Sequence, residues 1–223
     1  MFARAIELDP NYAAAYAALG LTHYEAVVSG WTEFIREELE TAEGLANKAL
    51  ALDPATTRAH LLLGHIDLYR RKYERGLAEM DRSLEINPSD VDSYVLRGTL
   101  LAWSGKPNEA LPWLETALRI DPLHARGLMN LGIAKFLLGN YAEAATSLEQ
   151  ALARSPGRLI QVTVFPLLAA ADAELGHAED TARVRVAMLR VAPLFDARRF
   201  AEQFGTETAR EQVLIKLQKA GFR

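Results

Sequence analysis

Apolar runs close on a polar residue and a proline at a fixed interval along this chain. The strings ALALDP, LEINP, LRIDP and LARSP end at Pro54, Pro88, Pro122 and Pro156, each 34 residues after the one before. Ten residues past the first three of these prolines stand Gly64, Gly98 and Gly132, preceded by Leu63, Arg97 and Leu131. Twelve residues beyond each glycine comes a small residue, Gly76, Ala110 or Ala144, and seven further on Ser83, Ala117 or Ala151. Small residues so placed let two helices approach closely while Leu, Tyr and Met neighbours fill the space between them. Each 34-residue unit therefore predicts an antiparallel helix pair, turning at RRKY (70–73), SGKP (104–107) or LGNY (138–141). Proline stops the second helix, and the next Asx or Ser/Thr, as in NPSD at 87–90, starts another.

Two imperfect units flank the regular ones. Gly20 to Pro54 holds about ten residues more than Gly64 to Pro88, near VVSGWTEFIR, so a helix from Asn11 to about Val27 and another from about Glu38 to Leu52 are joined by a longer loop. The last unit runs from Pro156 to Pro193, with three extra residues in GRLIQ and Ala169 at the glycine position. At the N-terminus FARAIELDP matches the end of a second helix without its first. The chain thus starts mid-repeat, either because residues precede Met1 or because the lone helix is itself a cap. After Pro193, FDARRFAEQFG predicts a short helix ending at Gly205, and Thr206 caps a final helix that ends at Gly221. Val213, Leu214 and Leu217 give that helix an apolar stripe with which to cover the last apolar surface of the stack.

Composition narrows the class. The 37 Ala and 34 Leu among 223 residues favour helix, and the nine prolines are expected between helices, six of them (Pro10, Pro54, Pro88, Pro122, Pro156 and Pro193) at unit ends. The absence of Cys excludes a disulfide framework, a zinc-thiolate site, an iron-sulfur cluster and a cysteine nucleophile, and suits a reducing compartment. A net charge of -4 advertises neither nucleic acid nor an anionic membrane as partner. The charge is uneven, however: residues 1–182 hold 16 Lys/Arg against 25 Asp/Glu, and residues 183–223 hold 9 against 4. The start lacks a signal peptide's layout, and the longest apolar stretch, Leu159 to Ala171, is interrupted by Gln161, Thr163 and Pro166 and is too short to span a bilayer. A cytoplasmic protein that does not enter membranes is expected.

These units resemble the tetratricopeptide repeat, a 34-residue helix-turn-helix with Gly or Ala in its first helix, Ala in its second and Pro at its end. The resemblance implies an all-α, right-handed solenoid over residues 1–193, with a remnant second helix at 1–10 and repeats at about 11–54, 55–88, 89–122, 123–156 and 157–193. Residues 194–223 then form the C-terminal cap. Two departures stand out, Arg97 for the usual Leu and Gly76 for an Ala, the second loosening its helix by roughly 1 kcal/mol. In this family the first helices line a concave groove whose ligand-contacting residues stand at set offsets from the glycine. Carried over, these are Leu61, His65, Leu68 and Tyr69; Val95, Thr99 and Trp103; and Met129, Ile133, Phe136 and Leu137, with Arg58 and Arg126 at the groove's edge. Leu68 and Phe136 read better as interhelical core. The subclass that grips chaperone carboxylates needs Lys, Asn and Arg where this chain has mostly Leu, Val, Thr and Ile, so that activity is not expected.

Residue patterns that carry chemistry are sparse in this chain. His60 and His65 are five apart, which is not a helical metal-pair spacing, and no HExxH, phosphate-loop, dinucleotide or nucleophile-elbow motif occurs. EELETAE at 37–43 reads as a solvated helix face. The arginines at 183, 185, 190, 198 and 199 lack interleaved aromatics, so an acidic partner domain is a better fit than nucleic acid. The expectation is a non-catalytic scaffold, without cofactor or metal, whose groove takes a partner's peptide or helix. The alternative is a regulatory or oligomerising segment of a larger signalling protein, because AWSGKPNEALPWLETALRIDP, Gly30-Trp31 and LQKAGF look like the repeat tails of bacterial class III nucleotide cyclases and of transcriptional regulators. Self-association through the incomplete N-terminal unit, with Phe2, Ile6 and Leu8, is a further possibility.

Overall fold

The computed structural model describes residues 1–223 as thirteen helices without a strand. In order they are α1 (Phe2–Leu8), α2 (Ala13–Val28), α3 (Ile35–Leu52), α4 (Thr57–Tyr69), α5 (Tyr73–Ile86), α6 (Val91–Trp103) and α7 (Pro107–Ile120). There follow α8 (Ala125–Leu137), α9 (Tyr141–Arg154), α10 (Arg158–Leu175), α11 (Ala178–Val191), α12 (Ala197–Ala201) and α13 (Glu207–Lys219). The chain is an all-α helical-repeat solenoid. Its internal contacts form two compact units, Met1–Leu96 and Arg97–Arg223, divided inside α6.

In the first unit α2 packs on α3 and α4 on α5 through small residues. A methyl group on Gly20 would lie 2.6 Å from Leu62 Cδ2 and 3.1 Å from the Ala42 carbonyl oxygen. Ala17, Ala42, Ala46, Ala49 and Ala59 are fully buried beside Leu62 and Ile66. The residue before each terminal proline has a definite task. Asp9, Asp53 and Asn87 each accept a hydrogen bond from the backbone N–H two residues on, at 2.9, 2.9 and 3.2 Å, which folds the chain into an Asx turn as the helix stops. A second device repeats six residues after the proline, where Tyr16 and Tyr94 donate to the Pro10 and Pro88 carbonyls at 3.2 and 3.1 Å. His60 Nε2 lies 3.3 Å from the Pro54 carbonyl, and its Nδ1 lies 2.7 Å from Glu79. Ser83, which stands where other units carry Ala, shares a buried 2.7 Å hydrogen bond with Ser93.

In the second unit the same contacts recur. A Cβ on Gly98 would meet Leu114 Cγ at 2.5 Å and one on Gly132 would meet Leu148 Cγ at 2.7 Å, while Ala169 replaces glycine on α10 and is fully buried. Arg97, the departure from leucine, holds its guanidinium 4.2 Å from the centre of the Trp113 ring. Asp121 repeats the Asx turn at 3.0 Å to Leu123 N. The expectation that prolines fall between helices holds only in part: Pro107 opens α7, whereas Pro112 and Pro166 lie inside α7 and α10. A proline interior to a helix forfeits one backbone hydrogen bond, about 3 kcal/mol with the associated clash. Packing offsets that cost at Pro166, which is buried among Val164, Leu167 and Leu168. At the C-terminal end Asp196 caps α12 by accepting from Arg199 N at 2.8 Å, and Thr206 caps α13 by accepting from Ala209 N at 3.2 Å.

Candidate protein-binding surface

The first helices of successive pairs lie side by side, α2 against α4 in the first unit and α8 against α10 in the second. In the first unit the exposed edge of this row is apolar and aromatic. Leu61, His65 and Leu68 are half-buried on α4, Tyr69 is 44% exposed, and Arg58 is exposed one turn below Leu61. The Tyr24 ring of α2 stacks on His65 with centroids 5.4 Å apart and planes 30° apart, which joins the two helices into one surface. Tyr24 was not among the expected residues, yet it stands four positions after Gly20, an offset that also gives Leu68 after Gly64. Val95, on the last part of this unit, is buried at 5% exposure.

Beneath this face runs an ionic network tying three helices together. Glu43 of α3 pairs with Arg70 and, at 2.7 Å, with Arg75, and Arg75 Nε donates to Asp67 Oδ2 at 2.7 Å. Asp67 is completely buried, and its Oδ1 has no partner. Burial pushes its carboxyl above the ordinary range and outweighs the hydrogen bond from Arg75. At Glu43 burial also acts upward, but the hydrogen bonds from Arg70 and Arg75 together outweigh it and leave that carboxyl below its ordinary value.

The second unit treats its first-helix face differently. Trp103, at the end of α6, stacks on Phe204 with centroids 5.1 Å apart and planes 8° apart, and its carbonyl accepts a 2.8 Å hydrogen bond from Gly205 N. From there α13 returns across α8 and α10. Its Val213 and Leu217 are fully buried in one cluster with Ile133, Phe136, Val164 and Leu168. Lys216 sits 5.1 Å from the Tyr141 ring centre and 3.5 Å from Glu174. The C-terminal stripe thus covers the unit's own first helices, whereas Val186 and Leu189 on α11 stay 46% and 42% exposed. Of the expected groove residues here, Thr99, Met129 and Ile133 are buried at 7%, 9% and 0% exposure, and Trp103 and Leu137 are half-buried and packed on the cluster. Arg126 alone is exposed. No three His, Asp or Glu residues come together as a metal site, and no helix is long and apolar enough to cross a membrane.

The model of the tetratricopeptide repeat matches residues 61–122 and 95–158. Residues 61–158 are tetratricopeptide repeats. Solved structures agree on the fold of nearly the whole chain. YrrB, a TPR protein with an unusual peptide-binding site, is similar at 20% identity over 87% of this chain and 93% of its own, with a TM-score of 0.54. PilW, a type IV pilus biogenesis factor, is similar at 19% identity over 92% of both chains, with a TM-score of 0.67. A thermophilic TPR protein of Thermus thermophilus is similar at 22% identity over 81% of this chain and 98% of its own, with a TM-score of 0.61. A search of the curated proteins finds no match. Tetratricopeptide folds of this kind support a protein-protein interaction scaffold.

Proposed function

We propose that this protein binds a peptide or helix of a partner protein along α2 and α4, with Leu61 as an apolar anchor, His65 and Tyr69 as aromatic anchors and Arg58 as an edge charge. The carrying observation is the Tyr24–His65 stack, which sets partly exposed aromatic rings from adjacent first helices side by side. Rigid aromatic surface beside an isolated arginine suits anchored peptides. YrrB, whose fold is similar, has a peptide-binding site. The corresponding residues of the second unit contribute less, since Thr99, Met129 and Ile133 are buried, Trp103 and Leu137 are half-buried and pack on the cluster that holds the C-terminal segment, and Arg126 alone is exposed.

Selection of a displayed random-peptide library on the wild-type protein tests this reading. Binding of the selected peptides is then compared with Leu61→Glu/His65→Glu, the fold of each variant being checked by circular dichroism. We expect at least a tenfold loss of affinity, whereas unchanged binding would move the site elsewhere.

A further inference from the structure

We propose that two copies of this protein associate through complementary surfaces, the α2–α3 connection of one copy meeting the exposed face of α11 of the other. This is independent of the peptide-binding reading, because neither surface includes α4.

The α2–α3 connection is the insertion that lengthens the first repeat. Within five consecutive residues it presents Trp31 at 78%, Phe34 at 68% and Ile35 at 43% exposure. These side chains are not on a floppy strand: Trp31 N donates to the Ala26 carbonyl at 2.9 Å and Phe34 N to Thr32 Oγ1 at 3.0 Å. Exposed aromatics held in place are costly to leave in water and mark an interaction site. The charges beside them are acidic, with Glu33, Glu37 and Glu40 exposed and Arg36 the single base, paired with Glu37 at 3.2 Å.

The face of α11 has the opposite sign. Val186 and Leu189, one turn apart, are 46% and 42% exposed, and Leu194 just beyond the helix is 96% exposed. Arg183 and Arg190 flank the two on the same side of the helix, since residues three and four apart share a face. Two acids open the helix, Glu179, which is exposed, and Asp180, which is held by Arg183 at 2.7 Å, so the positive sign of the face is carried by Arg190, beside Leu189 and away from both. The C-terminal helices bury their apolar stripe on α8 and α10, and this face of α11 is left uncovered. An apolar-and-basic face and an apolar-and-acidic face on one chain match each other in both respects. Charge complementarity of this kind selects and steers the partner while the buried aromatics supply the affinity.

Sedimentation velocity of the full chain over a micromolar concentration series provides the test, with Trp31→Ser/Phe34→Ser and Val186→Glu/Arg190→Glu as variants. Wild type is expected to self-associate, roughly tenfold more weakly at about 0.5 M than at about 0.05 M salt because the ionic part is screened. Each double variant alone should associate at least tenfold more weakly than wild type. Mixed one to one, the two variants should form a heteromeric pair, since each retains the surface the other has lost. A wild type that stays monomeric throughout, variants that associate as wild type does, or a mixture that fails to pair would each overturn the proposal.

Discussion

At the scale of single residues, glycines that occupy equivalent places in the repeat are not equivalent in what surrounds them. A Cβ at Gly64 would first meet Met80 Cε at 2.6 Å, the far end of a flexible thioether side chain that can swing aside. At Gly98 it would meet the branch point of Leu114 at 2.5 Å, and the Ala110 carbonyl stands 3.3 Å behind. Replacing glycine by alanine inside a helix gains about 1 kcal/mol of propensity. Gly64→Ala is therefore expected to fall within about 1 kcal/mol of wild type, whereas Gly98→Ala should lose roughly 1–3 kcal/mol through overpacking. Urea unfolding of the two variants checks the order, and equal losses would refute it. The 34-residue period marks both glycines alike because it records the need for a small residue. The identity of the opposing side chain comes from the partner helix.

At the scale of elements, the Glu43–Arg75–Asp67 network couples α3, α4 and α5 and gives them opposite responses to pH. Asp67, raised by burial, binds its proton more tightly folded than unfolded. The stability it contributes is complete below its ordinary value of 3.8 and falls as pH climbs through the raised one. Glu43, lowered, contributes stability that is present above its ordinary value of 4.5 and lost as pH falls through the lowered one. Measured by urea unfolding between acid and neutral pH, the stability difference between wild type and Asp67→Asn should shrink as pH rises, and a growing difference would contradict this assignment. Local sequence carried much of the element level: the Asx-Pro pairs fold as turns because each needs only atoms two residues apart. The network was not legible, because EELETAE read as a solvated face while Glu43 in fact pairs with arginines on the two following helices.

At the scale of the whole molecule, the C-terminal segment is part of the core of the second unit. Phe204, Val213 and Leu217 are all but fully buried there. Removing residues 194–223 exposes their neighbours and forfeits roughly 5 kcal/mol or more of burial, comparable with the stability of a small domain. Hydrogen exchange on the shortened chain should show α8 and α10 losing protection while α2 to α4 keep theirs, and full protection of α8 would contradict this role. The helix pairs and their 34-residue period were legible in the residues alone, because helix spacing, small contact residues and chain-stopping prolines act over one or two turns. The sequence also marked α13 as amphipathic. Where that apolar stripe lands came from the packing of the folded chain, because a stripe specifies that it must be buried and leaves open against what. By placing it on α8 and α10, folding closed one first-helix face, left that of α2 and α4 open and left α11 bare.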